Sequence, residues 1–326
     1  MKRLLICLML LALCLSMTAC GGVAERPDNG KITIVATIFP EYDWLRNLTA
    51  GSDNIELQLL IDKGVDLHSY QPDVNDIVAI SACDVFVYTG GSSDVWVEDV
   101  IETAMNPDLV VIDLMEILEQ HRELCADDHA HEHEHDGGEE DHHDHIADEH
   151  IWLSLVNARY ICGGLTEILQ QLDSENAERY AANFADYDGN LQALDEKYRA
   201  MAAEADYEDI VFADRFPFTY LMEDYGLHHH AAYEGCSAET EVSFDTFARL
   251  AETLNELELP CVMVIDDSDH RIADTVIATS GDKSRQVLTL QSMQAVGRSR
   301  IKAGVTYLDI MEENLSVLEQ ALNEGA

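Results

Sequence analysis

The sequence is poor in basic and in aromatic residues. Lysine and arginine number 19 against 63 aspartates and glutamates, and 7% of the 326 residues are aromatic. The formal charge of -44 would repel phosphates, so we expect no nucleic-acid partner. The apolar fraction of 47% argues against wholesale disorder, and the length predicts two domains. Cations are the natural ligands of such a chain, although acidity often serves only solubility.

Long apolar runs are absent except at the N-terminus. Leu4 to Leu15 are apolar and follow the basic residues Lys2 and Arg3, a pattern that is typical of a secretory signal and too short to cross a bilayer. We therefore predict a signal peptide over residues 1–19 and no membrane-spanning segment in the rest of the chain.

Cys20 follows this segment directly. With Thr18-Ala19 before it and Gly21-Gly22 after it, the stretch resembles the lipobox of bacterial lipoproteins, although Met17 stands where leucine is usual. The resemblance implies lipidation of Cys20, with residues 20–30 as a lipid-proximal tether, and simple secretion is the alternative. We expect an exported protein, lipid-anchored on the outer face of the cytoplasmic membrane or periplasmic.

Paired cysteines are also absent. Removal of the signal leaves five cysteines besides Cys20, an odd number with no CxxC spacing, which argues against a disulfide framework and a thiolate zinc site. We expect most of them to be small buried residues. They are Cys83, Cys125, Cys162, Cys236 and Cys261.

Short β-rich runs alternate with helical runs of about ten residues, which predicts βα units on mostly parallel sheets. Val74 to Ala82 is typical of such a helix, and Cys261 to Ile265 of such a strand. We predict an α/β fold of two lobes, residues 31–172 and 207–326, with a ligand cleft between them.

A long helix is predicted to join the lobes over residues 173–206. Apolar residues recur there at alternating steps of four and three, which marks one helical face. A coiled-coil partner helix is the alternative, but the repeat is short. The residues of this face are Tyr180, Phe184, Tyr187, Leu191, Leu194, Tyr198 and Met201.

A histidine- and acid-rich loop is predicted over residues 119–149. Eight of the 14 histidines lie between Asp127 and His150, among eleven acidic residues and no basic ones. Imidazole and carboxylate groups suit zinc, and copper or nickel would compete; the alternative is a solvated acidic loop. We expect weak, exchangeable metal contacts from His129, His131, His133, His135, His142, His143 and His145.

Two motifs place histidines where α/β proteins bind ligands. Gly64-Val65-Asp66-Leu67-His68-Ser69-Tyr70-Gln71-Pro72 follows the second predicted strand, and Asp148-Glu149-His150-Ile151-Trp152-Leu153-Ser154 follows the histidine-rich tract. They resemble the Asp-Pro-His-Ser-Tyr-x-Pro and Asp-x-His-Ile-Trp-Leu-Ser motifs of the cluster A-I solute-binding lipoproteins, which serve zinc and manganese ABC importers. The resemblance covers Ile32 to Leu322 and is greatest to the high-affinity zinc-uptake type.

The resemblance implies two lobes joined by a rigid helix, and a metal held between them by histidines and a carboxylate. It implies that His68 and His150 are the ligands from the N-terminal lobe. The histidine-rich loop is a feature of the zinc-type members.

The C-terminal lobe departs from the family pattern. Arg215 stands where a third histidine is usual, and a guanidinium has no lone pair to give a metal, although it could orient a carboxylate ligand. Asp214 is adjacent. The carboxylate ligand is expected to be Asp266, with Asp267 and His270 as rivals. His228, His229 and His230 are either ligands or, preferably, a polar surface run.

We therefore expect an extracytoplasmic receptor, not an enzyme, that captures Zn²⁺ as a transported ligand and delivers it to an ABC permease and its ATPase. The receptor is expected to be monomeric and to meet the membrane through its lipid. A manganese receptor of the same family is the first alternative, since Arg215 removes a nitrogen ligand. A zinc metallohydrolase is another alternative, disfavoured because no obvious general base stands beside the expected ligands and no GxSxG motif is present. A zinc buffer or adhesion protein without a transporter is the last alternative.

Overall fold

The computed structural model describes residues 30–120, 148–233 and 242–323. The predicted signal peptide, Cys20, Cys125, Cys236 and the loop histidines from His129 to His145 lie outside the described residues. Residues Ile32–Ala326 form one compact unit, and the description below concerns that unit.

The N-terminal half is built on a parallel sheet, because each strand returns through a crossover before it pairs again. Within the described residues the strand order is β2-β1-β3-β4, and Ile34 of β1 pairs with Val85 of β3. Residues 114–120 are also helical. The labelled elements are β1 (Ile32–Ala36), α1 (Phe39–Leu48), β2 (Ile55–Leu59), α2 (Val74–Ala82), β3 (Val85–Tyr88), α3 (Trp96–Ile101) and β4 (Val110–Asp113).

The C-terminal half repeats this architecture. Its described strands are also parallel, in the order β6-β5-β7-β8. The elements are β5 (Asp209–Phe212), α6 (Thr219–Tyr225), β6 (His228–Ala231), α7 (Phe244–Glu256), β7 (Cys261–Ile265), α8 (Arg271–Ser280), β8 (Gln286–Leu290), α9 (Arg298–Lys302) and α10 (Tyr307–Ala321). The predicted two-lobed α/β fold is confirmed.

Two helices connect the sheets, α4 (Leu155–Leu172) and α5 (Ala177–Glu204). The long helix predicted over residues 173–206 is α5, which spans roughly 42 Å at ~1.5 Å per residue. Six of its seven predicted apolar positions are buried, Phe184 being only half-buried. The lobe boundaries assigned from the sequence stay predictions.

Helix α4 was not predicted, because its central Gly163-Gly164 pair is typical of a break. In the structure both glycines lie inside the helix. A Cβ at Gly163 would lie 3.5 Å from the Phe184 ring of α5, and Gly164 is buried.

Helix α10 ties the C-terminal half to the N-terminal half at its first residue. The Tyr307 backbone N–H donates to Asp43 Oδ2 at 2.8 Å, and the Tyr307 hydroxyl donates to the Trp152 carbonyl at 2.7 Å. Its ring also packs edge-on against Trp44, with 5.3 Å between ring centroids. The Trp152 indole in turn donates to the Ser292 carbonyl at 2.9 Å. The buried residues Tyr307, Trp152 and Ser292 thus connect the two halves, and we call them the floor of the cleft.

Three of the cysteines fall within the described residues. Cys83, Cys162 and Cys261 are buried, as expected, and none of the three is in a disulfide bond. Among the described helices, none combines the length and the apolarity needed to cross a membrane.

Candidate metal site

His68 lies on a short turn that follows β2. Asp66 caps this 3-10 turn, Leu67–Ser69, by accepting the His68 backbone N–H on Oδ1 at 2.9 Å. Leu67 is buried and anchors the turn, whereas the His68 ring is partly exposed. The turn therefore holds a histidine side chain at the carboxyl edge of the N-terminal sheet.

His150 precedes a second 3-10 turn, Ile151–Leu153, whose side chains are all buried. Asp148 Oδ1 accepts the His150 backbone N–H at 3.0 Å and lies 2.5 Å from His150 Nδ1. Burial raises the pKa of Asp148, but the hydrogen bonds and charge of His150 outweigh this effect, so the pKa of Asp148 lies below the ordinary carboxyl value. Asp148 is therefore an ionised partner that orients the buried His150 ring.

The two histidines face each other through their Nε2 atoms, which lie 3.2 Å apart. A tetrahedral zinc ion with two imidazole ligands at about 2.0–2.1 Å would hold their nitrogens about 3.3 Å apart. The observed spacing fits one shared ion.

The Nδ1 atom of His68 has polar partners of its own. It lies 2.6 Å from Ser93 Oγ and 3.2 Å from Glu149 Oε1, while the Ser93 backbone N–H and hydroxyl both donate to Glu149. Burial raises the pKa of Glu149, but the hydrogen bonds from His68 and Ser93 outweigh it and lower the pKa to about 2. Carboxylates beside both Nδ1 atoms favour protons there, which leaves the Nε2 lone pairs for a metal.

Gln294, a residue of the C-terminal half, places the third polar side chain beside the two Nε2 atoms. Its Nε2 lies 3.1 Å from His68 Nε2 and 2.8 Å from His150 Nε2, and the side chain is buried. As a donor to both rings, the amide agrees with protons on the two Nδ1 atoms. Half a turn of the amide would present its oxygen to a metal instead.

Gln294 was missed by the sequence interpretation because an amide is a rare metal ligand. Its position in the loop that follows β8 was the available signal, since ligands bind at the carboxyl ends of parallel strands. Met293 at φ 60° turns the chain there.

The predicted carboxylate ligand, Asp266, lies at the end of β7 and faces Ser292. Its Oδ1 accepts the Ser292 backbone N–H at 2.9 Å and the Ser292 hydroxyl at 2.7 Å. Among the described residues, the one group of three or more His, Cys, Asp and Glu ligand atoms within 4.8 Å of one another is His68, Glu149 and His150. The structure therefore does not bring Asp266 to the two histidines.

Arg215 pairs with a carboxylate across the cleft. Its Nη1 donates to Asp66 Oδ2 at 2.9 Å, and its backbone N–H donates to Asp214 Oδ1 at 2.8 Å. We expected Arg215 to orient a carboxylate ligand, but the carboxylate that it contacts is Asp66, the cap of the His68 turn, and not the candidate ligand Asp266. Asp214, Asp267 and His270 are not in the cluster described above.

The His228–His230 run forms strand β6 at the edge of the C-terminal sheet. This strand was not predicted, since the run of imidazoles suggested only a polar surface. His230 Nε2 lies 2.8 Å from Asp209 Oδ1, and the His229 ring stacks on Phe216 with centroids 3.8 Å apart. The three side chains do not join the His68–His150 pair.

Gly91 allows Glu149 to reach its place. The glycine has φ +84°, and a Cβ built on it would lie 2.8 Å from both Cβ and Oε2 of Glu149. Any larger residue must displace the carboxylate beside His68.

Two parallel α/β halves with a histidine pair at the cleft between them define a two-lobed binding protein with a candidate metal site. The family model described as "Zinc-uptake complex component A periplasmic" (ZnuA) matches residues 34–321. The chain belongs to this family, as the motifs implied.

Named relatives agree with this assignment. The chain is 29% identical over 324 residues to the zinc-binding lipoprotein AdcA of Streptococcus pneumoniae, which covers 98% of this chain but 61% of AdcA. The chain thus spans about three-fifths of that relative's length. It is also 29% identical over 323 residues to the high-affinity zinc uptake system protein ZnuA of Bacillus subtilis, with 97% of this chain and 95% of that one covered.

Solved structures give the same result. The Zn(II)-bound ZnuA-like domain of Streptococcus pneumoniae AdcA superimposes with a TM-score of 0.69 at 25% identity, covering 90% of this chain and 100% of that one. The metal-dependent lipoprotein YcdH of Bacillus subtilis gives a TM-score of 0.70 at 25% identity, with 90% and 99% covered.

The Gly91 contact gives a prediction. Gly91→Ala should weaken zinc binding about tenfold or more, because loss of a carboxylate that orients a ligand typically costs 10–100-fold in metal affinity. Gly281→Ala is the control, since Gly281 has φ +83° and nothing within 4 Å of its built Cβ. Zinc titration against a competing chelator measures both. Equal zinc affinities in the two variants would show that the position of Glu149 does not affect zinc binding.

Proposed function

We propose that this protein is an extracytoplasmic receptor that captures Zn²⁺ and delivers it to an ABC importer. The observation that carries the proposal is the facing pair of Nε2 atoms in His68 and His150, 3.2 Å apart. Membership of the ZnuA family and the zinc-binding names of the relatives support it.

The donor set favours zinc over manganese. Two imidazole nitrogens and one amide meet at the site, whereas manganese prefers carboxylate and other oxygen ligands. The nearby carboxylates of Asp148 and Glu149 contact the Nδ1 atoms and so serve the rings. We infer that both histidines bind the ion through Nε2.

The site joins the two halves of the molecule. His68 and His150 belong to loops of the N-terminal half, and Gln294 follows the last strand of the C-terminal sheet. In this structure the side-chain amide of Gln294 bridges the two histidine Nε2 atoms through its hydrogens. We propose that the bound ion takes over this bridging position and that Gln294 turns its side-chain oxygen to the metal. The packing of α5 and α10 against both halves would limit the opening needed for release. Since the relatives are named as binding and uptake proteins, a receptor is favoured over the metallohydrolase.

Export and anchoring are part of the proposal. We infer that the signal peptide is removed, that Cys20 is lipidated, and that the monomeric receptor presents its cleft to a permease and its ATPase. The seven histidines between His129 and His145 would raise the local concentration of zinc near the cleft.

Substitutions test the ligand assignment. His68→Ala should weaken zinc binding by at least 100-fold, because it removes one of two nitrogen ligands. Gln294→Ala should weaken binding moderately, and Gln294→Glu should strengthen it, since a carboxylate adds an anionic oxygen.

Asp266→Ala is the matched comparison and should leave the affinity within about twofold if Gln294 is the partner from the C-terminal half. Competitive titration of each variant, with residues 121–147 removed, gives the readout. Strong loss in Asp266→Ala with no change in Gln294→Ala would restore Asp266 as the ligand.

Growth tests the delivery step. Cells of the bacterium that carries this chain should grow poorly in chelator-limited medium when the gene is deleted, and added zinc should restore growth. The wild-type gene should complement the deletion, whereas the His68→Ala/His150→Ala variant should not. Normal zinc uptake in the deletion strain, measured with radioactive zinc, would contradict a transport role.

A further inference from the structure

Two arginines of the C-terminal half reach the segment between Asp62 and Asp66, which leads from β2 to the His68 turn. Arg215 follows β5, and Arg298 begins α9. Each pairs with an aspartate at one end of this five-residue segment. The segment that carries His68 is therefore held to the opposite half at two points.

The pair at the site end is Arg215 with Asp66. Both side chains are mostly buried, at 21% and 16% exposure, and Nη1 lies 2.9 Å from Oδ2. The other oxygen of Asp66 accepts the His68 backbone N–H. Arg215 thus fixes the group that shapes the His68 turn.

The pair at the other end is Arg298 with Asp62. The Arg298 backbone N–H donates to the Asp62 carbonyl at 2.7 Å, and its Nε donates to Asp62 Oδ2 at 2.7 Å. An exposed ion pair alone contributes little, but here a backbone hydrogen bond fixes the same two residues. Side chain and main chain together define one position of the segment against α9.

The surroundings of Arg215 explain why a cation is needed there. Burial raises the pKa of Asp267, as do the negative charges of Asp266, Asp66 and Asp214, and Arg215 opposes this rise. Asp66 belongs to one half of the molecule and the other three carboxylates to the other. Without the guanidinium, these charges would push the halves apart across the cleft.

We infer that Arg215 and Arg298 form a charge clasp, the two ion pairs with Asp66 and Asp62, that holds the cleft closed and positions His68 before the metal binds. The inference rests on the proposed zinc-binding function. A binding-competent arrangement that is already populated raises the apparent affinity and slows release, so the clasp sets how long the ion is retained. Arg215 acts here as a positioning residue in place of a metal ligand.

The test begins with the metal-free protein, so that it is independent of zinc binding. Hydrogen exchange of the backbone amides of residues 62–70 should be slow in the wild type and clearly faster in Arg215→Ala, Arg298→Ala and the double variant. Arg159→Ala is the matched control, because Arg159 and Asp188 form a partly buried pair, at 34% and 26% exposure, between α4 and α5. The control should leave exchange in residues 62–70 unchanged.

Zinc release gives the second readout. The rate of zinc transfer to an excess of chelator should rise roughly tenfold in the double variant, a typical size for coupling between two sites. It should also rise with ionic strength in the wild type but little in the double variant, because salt screens the clasp. Arg215→Lys should keep part of the effect, since the charge remains and the planar fork is lost.

The outcomes separate two failures. Faster exchange in residues 62–70 without any zinc binding at the histidine pair would support the clasp and overturn the proposed function. Zinc binding with unchanged exchange and unchanged release in the double variant would overturn the clasp alone. Equal effects of Arg159→Ala and Arg215→Ala would show a general loss of stability and would also overturn the clasp.

Discussion

The close approach of two imidazole nitrogens is the constraint on which the rest of the site depends. Two lone pairs 3.2 Å apart repel each other unless a donor or a cation lies between them. The Gln294 amide meets this need in the structure, and a zinc ion would meet it with the same spacing. The surrounding groups all serve this arrangement. Asp148, Ser93 and Glu149 orient the two rings, and Gly91 leaves room for Glu149.

The architecture supplies this pair from rigid surroundings. His68 lies on a capped 3-10 turn, and His150 directly precedes a second 3-10 turn whose residues are buried. Hydrogen bonds of Tyr307, Trp152 and Ser292 connect the floor of the cleft. The third group comes from the opposite half, so under the proposed function ion binding would be coupled to the relative position of the halves. Such coupling would give the proposed receptor a means both to retain and to release its ion.

Much of this could be predicted from the sequence, and the exceptions have physical reasons. The alternating pattern indicated both sheets, and the spacing from Tyr180 to Met201 indicated α5. The motifs around His68 and His150 singled out the two residues that the structure brings together. Helix α4 was hidden by Gly163-Gly164, a pair that is typical of a break but that lies within a helix here. Asp266 was the natural choice for a carboxylate ligand, yet its partner is Ser292, while an amide from the next loop faces the histidines. Which of several loop residues faces a site depends on backbone turns such as Met293 at φ 60°, which no residue-type argument specifies.

Anomalous diffraction at the zinc edge would show whether one zinc ion binds between the two Nε2 atoms. Crystals of the zinc-loaded chain without residues 121–147 would avoid the histidine-rich tract. We expect one strong peak about 2.0–2.1 Å from Nε2 of both His68 and His150. A zinc peak elsewhere, with none between these two rings, would contradict this expectation.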